Sequence, residues 1–111
     1  MYKGNKIALV IPAFNEERLL GATLEGAPET IDRIYVVDDC SQDQTPDIVR
    51  KYAAIDPRVE LIQHEENKGV GAAIITGYMR ASADEYEITV VVGGDNQMPF
   101  ETVEDLLEPI A

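Results

Sequence analysis

The sequence predicts an α/β fold, in which helices flank a parallel sheet of about four strands in the order 3-2-1-4. Two observations carry this prediction. Short apolar runs alternate with stretches of helical spacing, which is typical of βαβ units. In addition, a polar cluster directly follows three of these apolar runs. Because ligands of open parallel sheets bind outside the carboxyl ends of the strands, we expect the three clusters to meet in one cleft.

The first strand and the first helix are predicted from the amino-terminal apolar run and the turn after it. Residues 6–12 are rich in Ile and Val, and Pro12 ends the run. Asn15 is expected to cap a helix, because its side chain can accept a hydrogen bond from a first-turn N–H group. Glu16 and Glu17 would then lie at the positive end of the helix dipole. The inward face of this helix is predicted to contain Leu19, Leu20, Thr23 and Leu24.

The later elements follow at regular intervals: strands at 33–37, 59–63 and 87–92, and helices from Asp43 or Thr45, from Gly69 to Ala83, and from Phe100 or Glu101. Pro46 suits the first position of the second helix. Connections between parallel strands are right-handed, so this order predicts a Rossmann-like half-sheet. Its switch point would lie between the first and fourth strands.

The composition argues against several classes of partner. The formal net charge is -12, from 21 acidic and 9 basic residues. Nucleic-acid binding and adsorption to anionic lipid both need basic surfaces, so neither is expected. The single Cys40 cannot form an internal disulfide, which fits a reducing compartment such as the cytoplasm. No apolar stretch approaches the ~20 residues that span a bilayer.

The most specific motif is the pair Asp38-Asp39 at the end of the second strand, followed by a turn rich in Ser, Asp and Thr. Neighbouring residues of a strand face opposite ways and like charges repel, so the two carboxylates are expected to do different jobs. One can accept hydrogen bonds from a ribose hydroxyl or a base N–H, and the other can cap the turn. The alternative is that both only cap donors of the loop and the next helix.

Together with the segments Pro12-Ala13-Phe14-Asn15-Glu16-Glu17 and Asn67-Lys68-Gly69-Val70-Gly71, this motif resembles the family 2 glycosyltransferases with the GT-A fold. The closest likeness is to the dolichol-phosphate mannose synthase-like branch, and it covers nearly the whole chain. The resemblance implies the nucleotide-sugar-binding part of an inverting glycosyltransferase. Such an enzyme would transfer a hexose from a UDP- or GDP-sugar to an acceptor such as polyprenyl phosphate.

The nucleotide-binding residues that the resemblance implies are Pro12, Ala13, Glu16, Asp38, Asp39, Lys68, Gly69, Gly94 and Asp95. Among them, Glu16 would lie near the ribose or the base, and Asp39 would hydrogen-bond the base edge with Asp38 in support. Lys68 would lie near the base or the diphosphate, and the alternative is a solvated loop lysine. For Gly77, further along the same helix, the alternative is close packing of the helix on the sheet.

Residues 91–99 resemble the family's Asp-x-Asp motif with one departure. Gly93 stands where the family has its first aspartate, and Asp95 matches the second. The resemblance implies that Asp95 holds Mg²⁺ or Mn²⁺, with phosphates of the donor completing the ion's shell. Such an ion would also allow an acidic cleft to receive a diphosphate. With Gly93 at this position, the chain lacks the carboxylate that usually contacts the ribose or the sugar in the family.

No residue of this chain matches the family's general base, which lies well downstream of the Asp-x-Asp motif. Residues 1–111 are therefore expected to form a single nucleotide-sugar-binding domain. This domain would be a fragment of a longer glycosyltransferase, inactive alone. The full-length protein would act at the cytoplasmic face of a membrane. Apolar surface that the absent part normally covers could pair two chains into a homodimer.

Two other functions are compatible with a parallel sheet and polar clusters. The rivals are a receiver-like signalling domain, which also combines a parallel sheet with an acidic pair, and a non-catalytic α/β binding domain. His64 is predicted to be a surface loop histidine, because no second His or Cys lies at metal-ligand spacing. Cys40 is predicted to be a small buried side chain in the turn.

Overall fold

The computed structural model describes residues 4–92, which form four strands and three helices. In chain order these elements are β1 (Ile7–Ala13), α1 (Leu20–Glu25), β2 (Arg33–Asp38), α2 (Thr45–Ala53), β3 (Val59–Gln63), α3 (Val70–Ala83) and β4 (Ile88–Val91). The predictions for Gly93, Gly94, Asp95 and a last helix near Phe100 lie outside the described residues.

All strand pairs are parallel, and the sheet order β3-β2-β1-β4 confirms the predicted topology. A receiver-like domain has the flavodoxin-like order 2-1-3-4-5, so that alternative is wrong. The register places Ala13 beside Asp38 and Asp38 beside Gln63. The carboxyl ends of β1, β2 and β3 therefore lie at the same edge of the sheet. This edge is where the sequence places its polar clusters.

The central strand β1 is buried along its whole length, because helices cover both faces of the sheet. Ile7, Leu9 and Ile11 pack in the larger core cluster, on the face that α1 and α2 cover. Ala8 and Val10 pack on the opposite face, which α3 covers. This two-sided burial explains why β1 is a continuous apolar run without polar alternation.

Helix α3 approaches the sheet closely at Gly77, as the packing alternative predicted. A Cβ atom at this position would lie 2.4 Å from Cγ1 of Val10 and 3.2 Å from Cγ2 of Val37. Both valines are fully buried, so neither has room to move away. Only glycine therefore fits where α3 crosses β1 and β2. This close crossing sets the distance between α3 and the sheet.

The predicted start of α1 is wrong. The helix begins at Leu20, and Asn15 does not cap it. Asn15 has a left-handed backbone with φ of 52°, and its Oδ1 accepts a hydrogen bond from the N–H of Gln42 at 2.9 Å. Asn side chains readily bond to a neighbouring loop in place of a helix end, and here the β2–α2 loop supplies the partner. As a result, Leu19 is 45% exposed and does not join the inward face.

Cys40 lies in the turn after β2 and also has a left-handed backbone, with φ of 61°. It is half-buried, whereas a buried side chain was predicted, and its thiol contacts the carbonyl oxygen of Glu65 at 3.5 Å. This conformation costs a residue with a Cβ atom about 1 kcal/mol relative to glycine. We therefore expect Cys40→Gly to be about 1 kcal/mol more stable than Cys40→Ala in urea unfolding. Equal stability of the two variants would contradict the strained turn.

The outer face of α3 carries three large apolar side chains that are exposed, Ile75, Tyr78 and Met79. Dimerisation through apolar surface of this kind stays a prediction. Among the helices of the described part, none has both the length and the apolarity that a membrane span requires.

Candidate functional site

A pocket of about 340 Å³ opens at the carboxyl edge of the sheet, between the β1–α1 loop and the first turns of α3. Its volume is at the lower end of the range for small-molecule sites, roughly 300–1,000 Å³. The walls combine apolar surface with a few polar groups, as such sites usually do. The lining residues are Pro12, Ala13, Phe14, Glu16, Asp39, Asn67, Gly69, Val70 and Ala73.

Five of the nine predicted site residues line this pocket: Pro12, Ala13, Glu16, Asp39 and Gly69. Asp38 and Lys68 do not line it, and the remaining two lie outside the described residues. The pocket adds residues that sequence reasoning did not select, namely Phe14, Asn67, Val70 and Ala73. All four lie within or close to the segments 12–17 and 67–71, which resemble the family. Their position in these segments was the available sign that they line the pocket.

Asp39 is the best-connected polar residue of the pocket. Its side chain is only 4% exposed. Oδ1 accepts hydrogen bonds from the N–H of Lys68 and from Nδ1 of His64, each at 2.9 Å. Oδ2 accepts one from the N–H of Gly69 at 2.8 Å. Asp39 thus fixes the loop that leads into α3, and the capping alternative is correct for this part of its role.

These contacts keep Asp39 ionised. Burial alone would raise the pKa of this carboxyl, but the hydrogen bonds from Lys68, His64 and Gly69 outweigh burial and hold the pKa below its ordinary value. A carboxylate offers about four acceptor positions on its two oxygens. Three of them are occupied within the described residues, so one position of Oδ2 remains for a ligand in the pocket.

Asp38 faces the other side of the sheet, which confirms that the two adjacent carboxylates have different surroundings. It is 1% exposed, and its Oδ2 accepts a hydrogen bond from the N–H of Ser41 at 3.4 Å. Its Oδ1 is buried and has no hydrogen-bond partner within residues 4–92. Asp38 therefore stabilises the turn after β2 through Ser41, and it does not line the pocket.

Hydrogen bonds between the β1–α1 and β2–α2 loops hold Glu16 at the rim of the pocket. Oγ1 of Thr45 accepts from the N–H of Glu16 at 2.9 Å, and its hydroxyl donates to Oδ1 of Asp43. Burial would raise the pKa of Asp43, but its bonds from Thr45 and from the backbone N–H of Glu17 hold the pKa below the ordinary value. The polar turn after Asp38-Asp39 thus serves to position the first loop.

The prediction for His64 is wrong, because its side chain is 7% exposed and not a solvated loop group. One ring nitrogen contacts Asp39, and the other, Nε2, lies 2.8 Å from Oγ1 of Thr76 on α3. These partners are distant in sequence, so spacing along the chain gave no sign of them. Lys68, in contrast, is exposed, as its alternative predicted, and only its backbone N–H bonds to Asp39.

The predicted metal ligand, Asp95, lies outside the described residues. Within residues 4–92 no group of three His, Cys, Asp or Glu side chains is arranged to hold a metal ion. The N–H of Val92 donates to the carbonyl oxygen of Val10 at 3.0 Å. The described chain therefore ends beside the middle of β1, and β4 runs toward the edge of the sheet that holds the pocket.

Comparison with known proteins gives a consistent result. The profile of glycosyl transferase family 2 matches residues 8–111. A UDP-N-acetylglucosamine–dolichyl-phosphate N-acetylglucosaminyltransferase of Methanococcus voltae is 32% identical, over 94% of this chain and 47% of the relative. A dolichol-phosphate mannosyltransferase of Pyrococcus furiosus is 32% identical, over 95% of this chain and 30% of the relative. The chain thus spans less than half the length of these two relatives.

Among solved structures, a mannosyltransferase from Pyrobaculum calidifontis in complex with GDP-Man and Mn²⁺ superimposes with a TM-score of 0.81, at 25% identity. The match covers 96% of this chain and 32% of the other. The shared part is the half-sheet with its flanking helices, which agrees with the predicted GT-A architecture.

Proposed function

The chain belongs to glycosyl transferase family 2, and on that basis we propose that its pocket binds the nucleotide of a UDP- or GDP-linked sugar. The whole protein would be an inverting glycosyltransferase that transfers a hexose to an acceptor such as polyprenyl phosphate. The general base and the acceptor site would lie outside this chain. The two relatives above are named for transfer to dolichyl or dolichol phosphate, and these names support a polyprenyl phosphate as the acceptor.

The observation that carries the proposal is the buried, ionised Asp39, which lines a pocket of suitable size and has one acceptor position unoccupied within the described residues. A carboxylate only accepts hydrogen bonds, so it selects a ligand that offers an N–H or O–H group. Uracil and guanine each carry a ring N–H on their Watson–Crick edge, whereas adenine and cytosine offer only an exocyclic amino group there. Asp39 is therefore suited to the bases of UDP- and GDP-sugars.

The remaining pocket surface fits the other parts of a nucleotide. Ala13, Ala73 and the ring of Phe14 supply apolar walls for a planar base. The carboxylate of Glu16, on the rim, would accept from ribose hydroxyls. The diphosphate would approach the first turn of α3, where N–H groups have no acceptor within the helix. The small residue Gly71 leaves this turn accessible.

A divalent cation, Mg²⁺ or Mn²⁺, would complete the site. Two carboxylates, those of Glu16 and Asp39, line the pocket, and the chain carries a net charge of -12, so a diphosphate needs a cation beside it. The proposed ligand is Asp95, as the resemblance of residues 91–99 to the family's Asp-x-Asp motif implies. Such ions commonly need only one or two protein carboxylates, since substrate phosphates complete their shell. When bound, the ion would neutralise charge on the leaving diphosphate.

Calorimetric titration of the folded chain with UDP and with GDP, each with and without Mn²⁺, tests the proposal. We expect one nucleotide to bind more tightly than the other, and Mn²⁺ to strengthen that binding. Asp95→Ala should remove the part of the affinity that depends on Mn²⁺. A sample with a sharp unfolding transition that binds neither nucleotide, even with Mn²⁺, would contradict the proposal.

A charge placed at the mouth of the pocket gives an independent prediction. Val70 lines the pocket, is 67% exposed and begins α3. Glutamate in a first helical turn is favourable for the helix, so Val70→Glu should fold normally. It should nevertheless weaken binding of the anionic nucleotide about tenfold, which corresponds to ~1.4 kcal/mol.

The matched control is Ile75→Glu, which makes the same change of charge on the exposed face of the same helix, outside the pocket. Its affinity for the nucleotide should stay within about twofold of wild type, because charges on exposed surfaces are screened beyond ~10 Å. Equal losses in the two variants would indicate a general charge effect and would count against binding at this pocket.

A further inference from the structure

The imidazole of His64 connects the pocket to the middle of α3. Its Nδ1 lies 2.9 Å from Oδ1 of Asp39, and its Nε2 lies 2.8 Å from Oγ1 of Thr76. The backbone N–H of His64 donates to the carbonyl oxygen of Asp38 at 2.9 Å, which fixes the residue against the end of β2. The ring is therefore held at both nitrogens, the backbone of the residue is held by a third bond, and the side chain is shielded from solvent.

The chemistry of the Asp39 partner determines that Nδ1 of the ring carries a proton. The carboxylate of Asp39 is ionised and can only accept, so Nδ1 must carry a proton and donate it. In the neutral ring Nε2 is then an acceptor, and the hydroxyl of Thr76 can donate to it. Each end of the ring thus has a partner of the matching type.

The bond from His64 restricts how the carboxylate of Asp39 can turn. Oδ1 receives Nδ1 of His64 and the N–H of Lys68, whereas Oδ2 receives only the N–H of Gly69. With Oδ1 fully occupied, the free acceptor position belongs to Oδ2. Without the histidine, one acceptor position on each oxygen would be free, and only the N–H groups of Lys68 and Gly69 would orient the carboxylate.

We propose that His64 is a positioning residue for nucleotide recognition, which occupies Oδ1 of Asp39 and so presents Oδ2 to the base. This inference rests on the proposed function, because it assumes that Asp39 contacts the nucleotide. His64 itself does not line the pocket and would not touch the ligand. Its effect on affinity would pass entirely through the orientation of Asp39.

Two substitutions of His64 separate its two contacts. In His64→Asn the side-chain amide nitrogen can take the place of Nδ1, so the bond to Asp39 is kept and the bond to Thr76 is lost. In His64→Gln the amide can take the place of Nε2, so the bond to Thr76 is kept and Asp39 loses its partner. We expect His64→Asn to bind the preferred nucleotide within about threefold of wild type, and His64→Gln to bind it at least about tenfold more weakly.

Unfolding temperatures distinguish positioning from a structural effect. Each variant loses one hydrogen bond of the buried ring, so both should unfold below wild type, and His64→Gln by more because it loses the bond to an ionised carboxylate. Thr76→Val serves as a third variant, since it removes the Nε2 partner without changing His64 or Asp39, and it should lower the unfolding temperature with little change in affinity. In wild type, ¹⁵N spectra of the ring should show a proton on Nδ1.

Four results would overturn the inference while the proposed function stands: wild-type affinity in His64→Gln, a tenfold loss in His64→Asn, affinity that follows unfolding temperature across all three variants, or an Nδ1 without a proton. If wild type itself binds neither UDP nor GDP in the presence of Mn²⁺, the proposed function fails, and the inference fails with it.

Discussion

Asp39→Asn is expected to weaken nucleotide binding by about tenfold to a hundredfold and to destabilise the folded chain as well. An amide has only one acceptor atom, whereas Asp39 receives three hydrogen bonds through two oxygens. In either orientation of the amide, its NH₂ group would face an N–H donor of the loop. Leaving such buried groups unpaired costs about 1–3 kcal/mol. Titration calorimetry and urea unfolding measure the two effects.

The stability part of this prediction has a defined pH dependence. The pKa of Asp39 is lower in the folded chain than in the unfolded one, so its ionised form stabilises the fold at any pH above the ordinary aspartate value, about 3.9. That contribution is lost as the pH falls through the lowered pKa of the folded state. The difference in stability between wild type and Asp39→Asn should therefore be constant near neutral pH and shrink below about pH 4.

Asp56→Asn is the matched control, because it makes the same chemical change in a carboxylate that does not line the pocket. Asp56 lies between α2 and β3, where it pairs with Arg58 and has its pKa lowered by that residue. This variant should lose stability and keep its affinity for the nucleotide. If Asp39→Asn also kept its affinity, the proposed contact between Asp39 and the base would be excluded.

Gly77→Ala is expected to destabilise the fold by about 2–3 kcal/mol, a large effect for one added methyl group. The new Cβ would lie 2.4 Å from Cγ1 of Val10, well inside contact distance, and both valines at this crossing are fully buried. Helix α3 would have to move outward, which would also displace Gly69 and Ala73 at the pocket. Urea unfolding measures the loss of stability.

Gly71→Ala is the control on the same helix, because a Cβ at that position meets no atom within 4 Å. Alanine is favoured over glycine within helices, so this variant should gain up to about 1 kcal/mol. In a second control, Val10→Ala removes the atoms that clash, and the double variant with Gly77→Ala should be more stable than the sum of the single effects. A Gly77→Ala protein as stable as wild type would refute the close crossing.

The sheet could be predicted because its information is local. The β-branched runs of β1 and β2 are buried on both sides or nearly so, and parallel strands of this kind are continuous apolar segments. The topology followed from right-handed crossovers and from the polar clusters at the strand ends. The same clusters indicated where the pocket lies, since five predicted residues line it.

The errors concern side chains whose partners are remote in sequence. Asn15 is a residue type that often caps helices, but its side chain bonds to the N–H of Gln42 in place of a helix N–H. No local pattern in the sequence reveals that contact. His64 was judged by metal-ligand spacing, whereas its partners are Asp39 and Thr76, on two other elements. For Asp39, the sequence suggested either a cap or a ligand contact. The geometry shows the cap and leaves an acceptor position for a ligand.

The most direct test of a nucleotide site at this pocket is an NMR titration of the ¹⁵N-labelled chain with UDP and with GDP in the presence of Mg²⁺, which is diamagnetic. We expect the largest shift changes at the backbone amides of Ala13, Asp39, Gly69 and Ala73, with little change at Asp84 and Glu85, which lie between α3 and β4 at the opposite end of the sheet. Saturable shifts confined to that opposite end, or none with either nucleotide in a well-dispersed spectrum, would contradict it.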